Sequence, residues 1–381
     1  MTVHTKPPTL ANRSSFYGES KFIIGLFGAN CSSGRAVTLV PERWSGDWQD
    51  GKKLARMADD VGIDFMLPIG RWKGYGGETD YQGATYETIT WACGLLASTK
   101  RITVFGTVHA PLFNPIMGVK MMVTADHIGE GRFGLNIVCG WNEGEFEMFG
   151  VQQRDHANRY KQADEWVQIL KRAWSNDEVE FDFNGVYHQH KGIRSKPKPF
   201  GGSRPVIMNA GASPEGHDFA IRNCDAYFTQ ASRETVEATQ ARIAGIKRDA
   251  RALGRDLECY TVGVVTCRKT MKEAQEYYHY AAVERADWKA VDDIMAIKGL
   301  TPESMGKEAF ETRRTQFANG MGGVPIIGDP DYVADAFVRL HESGLRGIAI
   351  SMVNYLQDLP FFHAEVIGRL ERKGLRAPVK T

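Results

Sequence analysis

The polar residues most able to contact a ligand lie between residues 126 and 160. An apolar segment there ends at Asn136, and the loop after it contains Trp141 and Glu145. A buried amide in an apolar strand needs hydrogen-bond partners, because an unsatisfied buried polar group costs about 1–3 kcal/mol. Either a bound polar ligand or the backbone of a neighbouring strand would supply those partners, and the pattern leaves both open for Asn136.

Two further segments have residues suited to binding an anion such as phosphate. Arg159, next to Tyr160, offers a forked guanidinium charge, although the same side chain also suits a surface ion pair. The segment 211–213 leads into a predicted helix that begins at Pro214, so its backbone N–H groups can point at an anion. The negative charge of Glu215 opposes anion binding at that position.

The sequence lacks the residue motifs that several other kinds of chemistry require. The chain has no HExxH motif, no paired CxxC and no EF-hand spacing, so no metal site is predicted. It also has no GxSxG motif, so a hydrolase of that kind would lack its nucleophile.

The composition limits the partners of the chain. Lysine plus arginine total 47 and aspartate plus glutamate total 46, so the net charge is +1. This balance argues against a nucleic-acid binder with a basic face and against a binder of anionic membranes. No apolar run approaches the ~20 residues that cross a bilayer. The N-terminal segment does not resemble a signal peptide, and the six cysteines form no CxxC pair, so a reduced, cytoplasmic chain is predicted.

Eight short apolar runs alternate with helical patterns along the chain. These elements must position the candidate site residues. Most of the runs are continuously apolar, as in parallel strands buried on both faces. The order predicts an α/β fold, a (β/α)8 TIM barrel, with a doubly wound sheet as the alternative. No run is followed by a GxGxxG loop, which weakens that alternative. The runs cover residues 22–28, 64–69, 102–108, 133–139, 205–211, 225–230, 259–267 and 347–353.

Two segments are longer than the connections that a minimal barrel needs. Residues 175–204 are expected to form a β excursion after the helix that follows the fourth strand, and residues 284–327 a long polar loop after the seventh strand. Residues 21–381 show no composition break and are expected to form a single barrel domain. Residues 1–20 are expected to form a flexible N-terminal arm or a subunit contact.

Several motifs, taken in order, resemble the bacterial luciferase-like flavin monooxygenase superfamily. The main one is RFGLNIVCGWNEGEFEMFG at residues 132–150, followed by RY at 159–160. It is accompanied by GYGG at 74–77, KPKP at 196–199 and GAS at 211–213. The resemblance is greatest to the branch of the pyrimidine (uracil) monooxygenase and the dimethyl sulfone monooxygenase.

The resemblance implies a two-component monooxygenase. Reduced FMN would come from a separate NAD(P)H-dependent flavin reductase and react with O2, and one oxygen atom would enter a small organic substrate, which is pyrimidine-, amide-, sulfone- or sulfonate-like. A flavin N5-peroxide is the reactive species implied by the closest branch, and a homodimer or homotetramer is the implied assembly. Two alternatives stay open: a flavin- or deazaflavin-dependent reductase of the same fold, and a non-catalytic flavin-binding protein.

The resemblance also implies roles for individual residues. Thr107 and Asn136 match the pair proposed to hold O2 near flavin N5, and both have the short neutral side chains suited to that edge of the ring. Trp141 is the third catalytic candidate. The implied FMN-binding residues are Gly70, Arg71, Asn136, Glu145, Arg159, Tyr160 and Ser213.

Overall fold

A computed structural model describes residues 15–177, 179–229, 231 and 235–379. Its strands are β1 (Ile23–Phe27), β2 (Phe65–Leu67), β3 (Thr103–His109), β4 (Phe133–Val138), β5 (Phe181–Asn184), β6 (Gln189–Ile193), β7 (Val206–Asn209), β8 (Ala226–Phe228), β9 (Glu258–Cys267), β10 (Val324–Gly328) and β11 (Gly347–Ser351). Within the described residues, eight parallel strands close a barrel in the order β1, β2, β3, β4, β7, β8, β9, β11. All eight fall on the predicted apolar runs, so the (β/α)8 barrel is confirmed.

Helices follow the barrel strands and cover the outside of the sheet. They are α1 (Trp48–Asp60), α2 (Thr88–Leu96), α3 (Pro115–Ile128), α4 (Glu143–Met148), α5 (His156–Trp174), α6 (Pro214–Asn223), α7 (Val236–Ala252), α8 (Met271–His279), α9 (Trp288–Ile297), α10 (Pro302–Met305), α11 (Lys307–Gly320), α12 (Pro330–Glu342), α13 (Tyr355–Phe362) and α14 (Gly368–Arg372). Local sequence sets their ends: Asp329, for example, caps α12 by accepting a hydrogen bond from the Tyr332 amide. Among the described residues, no helix is long and apolar enough to span a membrane.

The base of the barrel contains a residue that was expected to belong to the flexible arm. Residues 1–14 of that arm lie outside the described residues. Phe16, however, is buried in a short 3-10 helix, and its ring packs against those of Phe65, Phe105 and Tyr260 at centroid distances of 5.3–5.5 Å. At this position the segment packs against the barrel, because the apolar ring fills the space beneath the barrel strands.

The two insertions differ in how well they were predicted. The excursion at 175–204 contains the antiparallel hairpin β5–β6, as expected. The segment 284–327 is not a long loop: it contains α9, α10, α11 and the first residues of β10. β10 extends the barrel wall, because Gly263 of β9 pairs with Val324 on one side and with Ile350 of β11 on the other. The glycine-rich sequence NGMGG contains the last two residues of α11 and the short turn that leads into β10, rather than part of an extended loop.

Candidate functional site

Thr107 and Asn136 lie side by side near the carboxyl ends of β3 and β4. They are register partners, and both are buried. The Thr107 hydroxyl donates to the Pro68 carbonyl at 2.7 Å and accepts from Asn136 Nδ2 at 3.2 Å. The Asn136 Oδ1 atom has no hydrogen-bond partner among the described residues. The amide is therefore oriented by a side chain, not by the backbone of a neighbouring strand, and one of its polar atoms stays available.

A cavity of about 260 Å³ opens at this end of the barrel, and Asn136 lines it. Its wall is mostly apolar, which suits a flat ring system with a few polar contacts along one edge. The lining residues are Phe27, Arg35, Leu67, Asn136, Ala210, Ala212, Phe228, Thr229, Ala231, Thr261, Val262, Gly322 and Val324.

Gly70 keeps the space between β2 and β3 open. A Cβ atom at this position would lie 3.0 Å from Thr107 Cγ2 and 3.0 Å from His109 Cε1, which is tighter than almost all real contacts. A side chain at Gly70 would therefore push against Thr107 and His109, which form one wall of the mouth, the open end of the barrel where its strands end.

Glu145, on α4, is the centre of a buried polar cluster. One carboxylate oxygen accepts from Arg71 Nη1 at 2.7 Å and from the Trp72 amide at 2.9 Å. The other lies 3.5 Å from His109 Nε2. Burial lowers the pKa of His109 to about 4; the nearby Glu145 charge opposes this shift and the Arg71 charge adds to it. The His109 ring is therefore neutral at physiological pH.

Trp141 contacts aromatic and cationic side chains at the edge of the mouth. Its ring stacks on Tyr75 at a centroid distance of 6.2 Å, and Lys298 Nζ lies 3.8 Å above it. Arg71 lies 4.6 Å from the Tyr75 ring centroid and 5.5 Å from that of Trp141. These are cation–π distances, so Trp141 and Tyr75 hold two cations beside the Glu145 cluster.

Arg159, Tyr160 and Ser213 come together where α5 begins beside α6. Ser213 caps α6 by accepting from the Gly216 amide at 3.1 Å, and its Oγ lies 2.7 Å from His156 Nε2. The other ring nitrogen of His156 lies 3.3 Å from Arg159 Nη2. Tyr160 approaches the backbone next to Ser213 so closely that a Cβ atom on residue 211 would overlap its hydroxyl.

These groups form a polar surface built from a helix N-terminus and a cation. Burial raises the pKa of Tyr160, so its hydroxyl stays protonated and can donate. The side chain of Glu215 lies 3.4 Å from His156 and brings the negative charge expected from the sequence. The arrangement suits a phosphate that accepts from Arg159, Tyr160 and Ser213.

Two cations at the mouth were not identified as site residues from the sequence. Arg35, in the loop after β1, lines the cavity, and Lys298 follows α9 in the insertion. Neither lies in a periodic pattern or a motif, so no signal in the sequence marks them. Trp44 and Phe146, two aromatic residues near this end of the barrel, are buried core residues, each with 1% exposure.

Comparisons with known proteins agree with this geometry. The family model described as luciferase-like monooxygenase matches residues 26–347. The chain is 28% identical to the FMNH2-dependent dimethylsulfone monooxygenase of Pseudomonas putida, over 89% of this chain and 92% of that protein. It is also 28% identical to the pyrimidine monooxygenase RutA of Acinetobacter baylyi, again over 89% of this chain and 92% of that protein.

A solved structure shows the same fold. The crystal structure of DmoA from Hyphomicrobium sulfonivorans superposes with a TM-score of 0.83 at 18% identity, over 95% of this chain and 90% of that chain. Similarity at this level of sequence identity supports the fold only. The family match covers most of the barrel, including every residue of the site described above, and the chain belongs to the luciferase-like monooxygenase family.

Proposed function

We propose that the protein is a two-component monooxygenase that uses reduced FMN and O2 to insert one oxygen atom into a small organic substrate. Family membership and the FMNH2-dependent relative support this reaction. The observation that carries the proposal to this chain is the buried Asn136 amide, whose Oδ1 atom lacks a partner and whose side chain lines the cavity. An unsatisfied buried carbonyl oxygen costs about 1–3 kcal/mol unless a ligand donates to it.

The residues at the mouth fit an FMN molecule in three respects. Asn136 offers a free acceptor in an otherwise apolar cavity, which a ring N–H group would satisfy. Gly70 leaves room beside Thr107 that any side chain would fill. Arg159 and Ser213, at the start of α5 and α6, offer a cation and a helix N-terminus for the phosphate.

Each group then has a defined task. When bound, reduced FMN supplies the two electrons that activate O2. Thr107 fixes Asn136 through the hydrogen bond between their side chains, so the amide is already oriented before the ligand arrives. The apolar wall excludes water from the reacting edge, and His109 stays neutral because burial lowers its pKa to about 4. Glu145 holds the segment after β2 through Arg71 and the Trp72 amide.

The two-component reaction requires a source of reduced cofactor. We infer that an NAD(P)H-dependent flavin reductase delivers FMNH2 by diffusion, and that the reaction takes place in the cytoplasm. A homodimer or homotetramer is the proposed assembly. The substrate is proposed to be a small molecule of the pyrimidine, amide, sulfone or sulfonate class.

The test is an assay with a flavin reductase, NADH and 18O2 on uracil, dimethyl sulfone and alkanesulfonates. We expect one labelled oxygen atom in the product and no turnover without O2. Products without label, with substrates consumed, would exclude monooxygenation. Full turnover under anaerobic conditions would indicate a reductase instead, and tight retention of FMN with no substrate consumed would indicate a non-catalytic flavin-binding protein.

A further inference from the structure

The cavity contains a buried cation that the proposed reaction leaves without a task. Arg35 lies in the loop between β1 and α1, is 7% exposed, and lines the same cavity as Asn136. Its Nη2 atom donates to the Gly320 carbonyl at 2.6 Å, and its guanidinium carbon lies 4.6 Å from the Phe27 ring centroid. Its Nε atom has no hydrogen-bond partner among the described residues.

No described carboxylate lies within ion-pair distance of Arg35. The acidic groups that face it are Tyr75, Tyr81, Tyr355 and Cys31. Burial raises the pKa of Cys31 to about 12 and raises the pKa of each of these tyrosines. All four groups are therefore neutral at physiological pH, and within the described part of the chain no negatively charged group lies within ion-pair distance of Arg35. A buried charge in this state is costly, so an anion is expected to bind there.

The surroundings of Arg35 are also positively charged. Desolvation and then the charges of Arg71, Arg35 and Arg313 lower the pKa of Lys298 to about 8, so each of these three arginines lies close enough to Lys298 to repel its charge. Arg313 reaches the cavity wall, because a Cβ atom on Gly322 would lie 3.3 Å from its guanidinium. The acid in this cluster, Glu145, is already bonded to Arg71. The combined charge at the mouth therefore attracts anions more strongly than Arg35 would alone.

The position of Arg35 separates it from the phosphate-binding surface. Arg159 and Ser213 follow β4 and β7, whereas Arg35 follows β1, which is separated from β4 by β2 and β3 around the barrel. The Arg35 guanidinium bonds to Gly320 at the end of α11, where the insertion approaches the mouth. A molecule bound beside Asn136 can place a charged group against this wall without displacing a cofactor phosphate.

We propose that the substrate carries an oxyanion, a carboxylate or a sulfonate, and that Arg35 binds this group in the cavity beside Asn136. The proposal rests on the proposed function and narrows its substrate to anionic molecules. A guanidinium suits such a group because its N–H donors match two oxygen atoms of a carboxylate or a sulfonate. Neutral substrates such as a sulfone or a pyrimidine would leave Arg35 uncompensated.

The test measures binding rather than turnover, so that its failure is distinguishable from failure of the monooxygenase assay. FMN-loaded protein is titrated by calorimetry with pentanesulfonate and with hexanoate, and in parallel with methyl pentyl sulfone and hexanamide, which are their uncharged counterparts. We expect each anion to bind at least about tenfold more tightly than its counterpart, since hydrogen bonds between charged groups are the stronger ones. Equal affinities, or no binding of either anion, would overturn the proposal.

Variants then assign the effect to Arg35. Arg35→Met should abolish the preference for the anions and leave the affinity for the neutral compounds within about twofold, while Arg35→Lys should keep part of the preference. Arg248→Met is the matched control, because this side chain is 76% exposed and its loss removes the same charge. A preference that survives Arg35→Met would overturn the assignment; if that variant does not fold, Arg35→Lys and the comparison of probes still decide it.

A final experiment tests whether Arg35 binds the cofactor instead of an anionic group of the substrate. FMN, reduced FMN and riboflavin are titrated into the wild-type protein and the Arg35→Met variant under anaerobic conditions. We expect the ratios of their affinities to be unchanged by the substitution. A variant that loses the preference for FMN over riboflavin would assign Arg35 to the phosphate, and one that loses the preference for reduced over oxidised FMN would assign it to the ring; either result overturns the proposal.

Discussion

Arg71 and Glu145 form a buried ion pair, with 2.7 Å between Arg71 Nη1 and Glu145 Oε1 and side-chain exposures of 6% and 1%. The pair joins the segment after β2 to α4, two parts of the chain that share no strand pairing. Burying two charges is costly, and only good geometry with further hydrogen bonds offsets that cost. The Trp72 amide and the rings of Tyr75 and Trp141 supply these further contacts.

Removing the carboxylate of Glu145 should therefore leave a buried arginine uncompensated. We expect Glu145→Ala to lower the free energy of unfolding by about 3 kcal/mol, measured by urea denaturation. A loss below about 1 kcal/mol would show that solvent already compensates Arg71. The double variant that also carries Arg71→Met should recover much of the lost unfolding free energy, because neither charge is then buried without its partner. A double-mutant cycle of these variants gives the coupling energy of the pair.

Asn136→Ala should separate a ligand-binding amide from a structural one. Thr107 keeps its hydrogen bond to Pro68 in this variant, so we expect a stability loss of only about 1 kcal/mol but a fall in the rate of oxygenation of about 100-fold. Asn209→Ala is the matched control, since the Asn209 amide is already bonded to the Ile137 carbonyl and the Gly211 amide. The control should lose more stability; a larger stability loss in Asn136→Ala would contradict a ligand role.

His109 should make the protein less stable in mild acid. The folded-state pKa of about 4 lies below the ordinary value because the ring is buried, so the unfolded chain binds the proton first as the pH falls. The loss begins below the ordinary pKa of about 6.5 and approaches about 1.4 kcal/mol per pH unit until the folded-state pKa is reached. His109→Gln should flatten the dependence of unfolding free energy on pH between 6.5 and about 4, measured by urea denaturation. The control His279→Gln removes a histidine that is 60% exposed and should leave the slope unchanged.

The barrel strands were predictable because each is a continuous apolar run bounded by turn residues. The pairing of Thr107 with Asn136 was implied by the family resemblance, and the two residues are register partners because β3 and β4 are adjacent parallel strands whose carboxyl ends lie at one mouth. The meeting of Arg71 with Glu145 was not predictable from spacing, because it depends on the helix α4. That helix has six residues and begins in a glycine-containing loop, so no periodic pattern marks it.

The insertion was mispredicted for a different reason. α9 buries Ala290, Val291, Ile294 and Met295 at helical spacing, but charged residues between them gave the segment a polar average. The glycines at 320, 322 and 323 suggested a loop, whereas Gly320 ends α11 and the other two lie in the turn before β10. Gly320 thereby contacts Arg35 across 285 positions of sequence. A contact of this range has no local signal in the chain, which is why the cation at the cavity was missed.

The base of the barrel offers a test of the fold that is independent of the cofactor. Phe16 is 2% exposed and contacts Phe65, Phe105 and Tyr260, whose rings close the space between the strands. Phe16→Ala would leave a cavity that these large rings cannot fill, so we expect a loss of about 3–5 kcal/mol in the free energy of unfolding. Phe200→Ala, at a side chain that is 39% exposed, should cost less than half as much. Equal losses in the two variants would mean that the ring of Phe16 does not support the barrel strands.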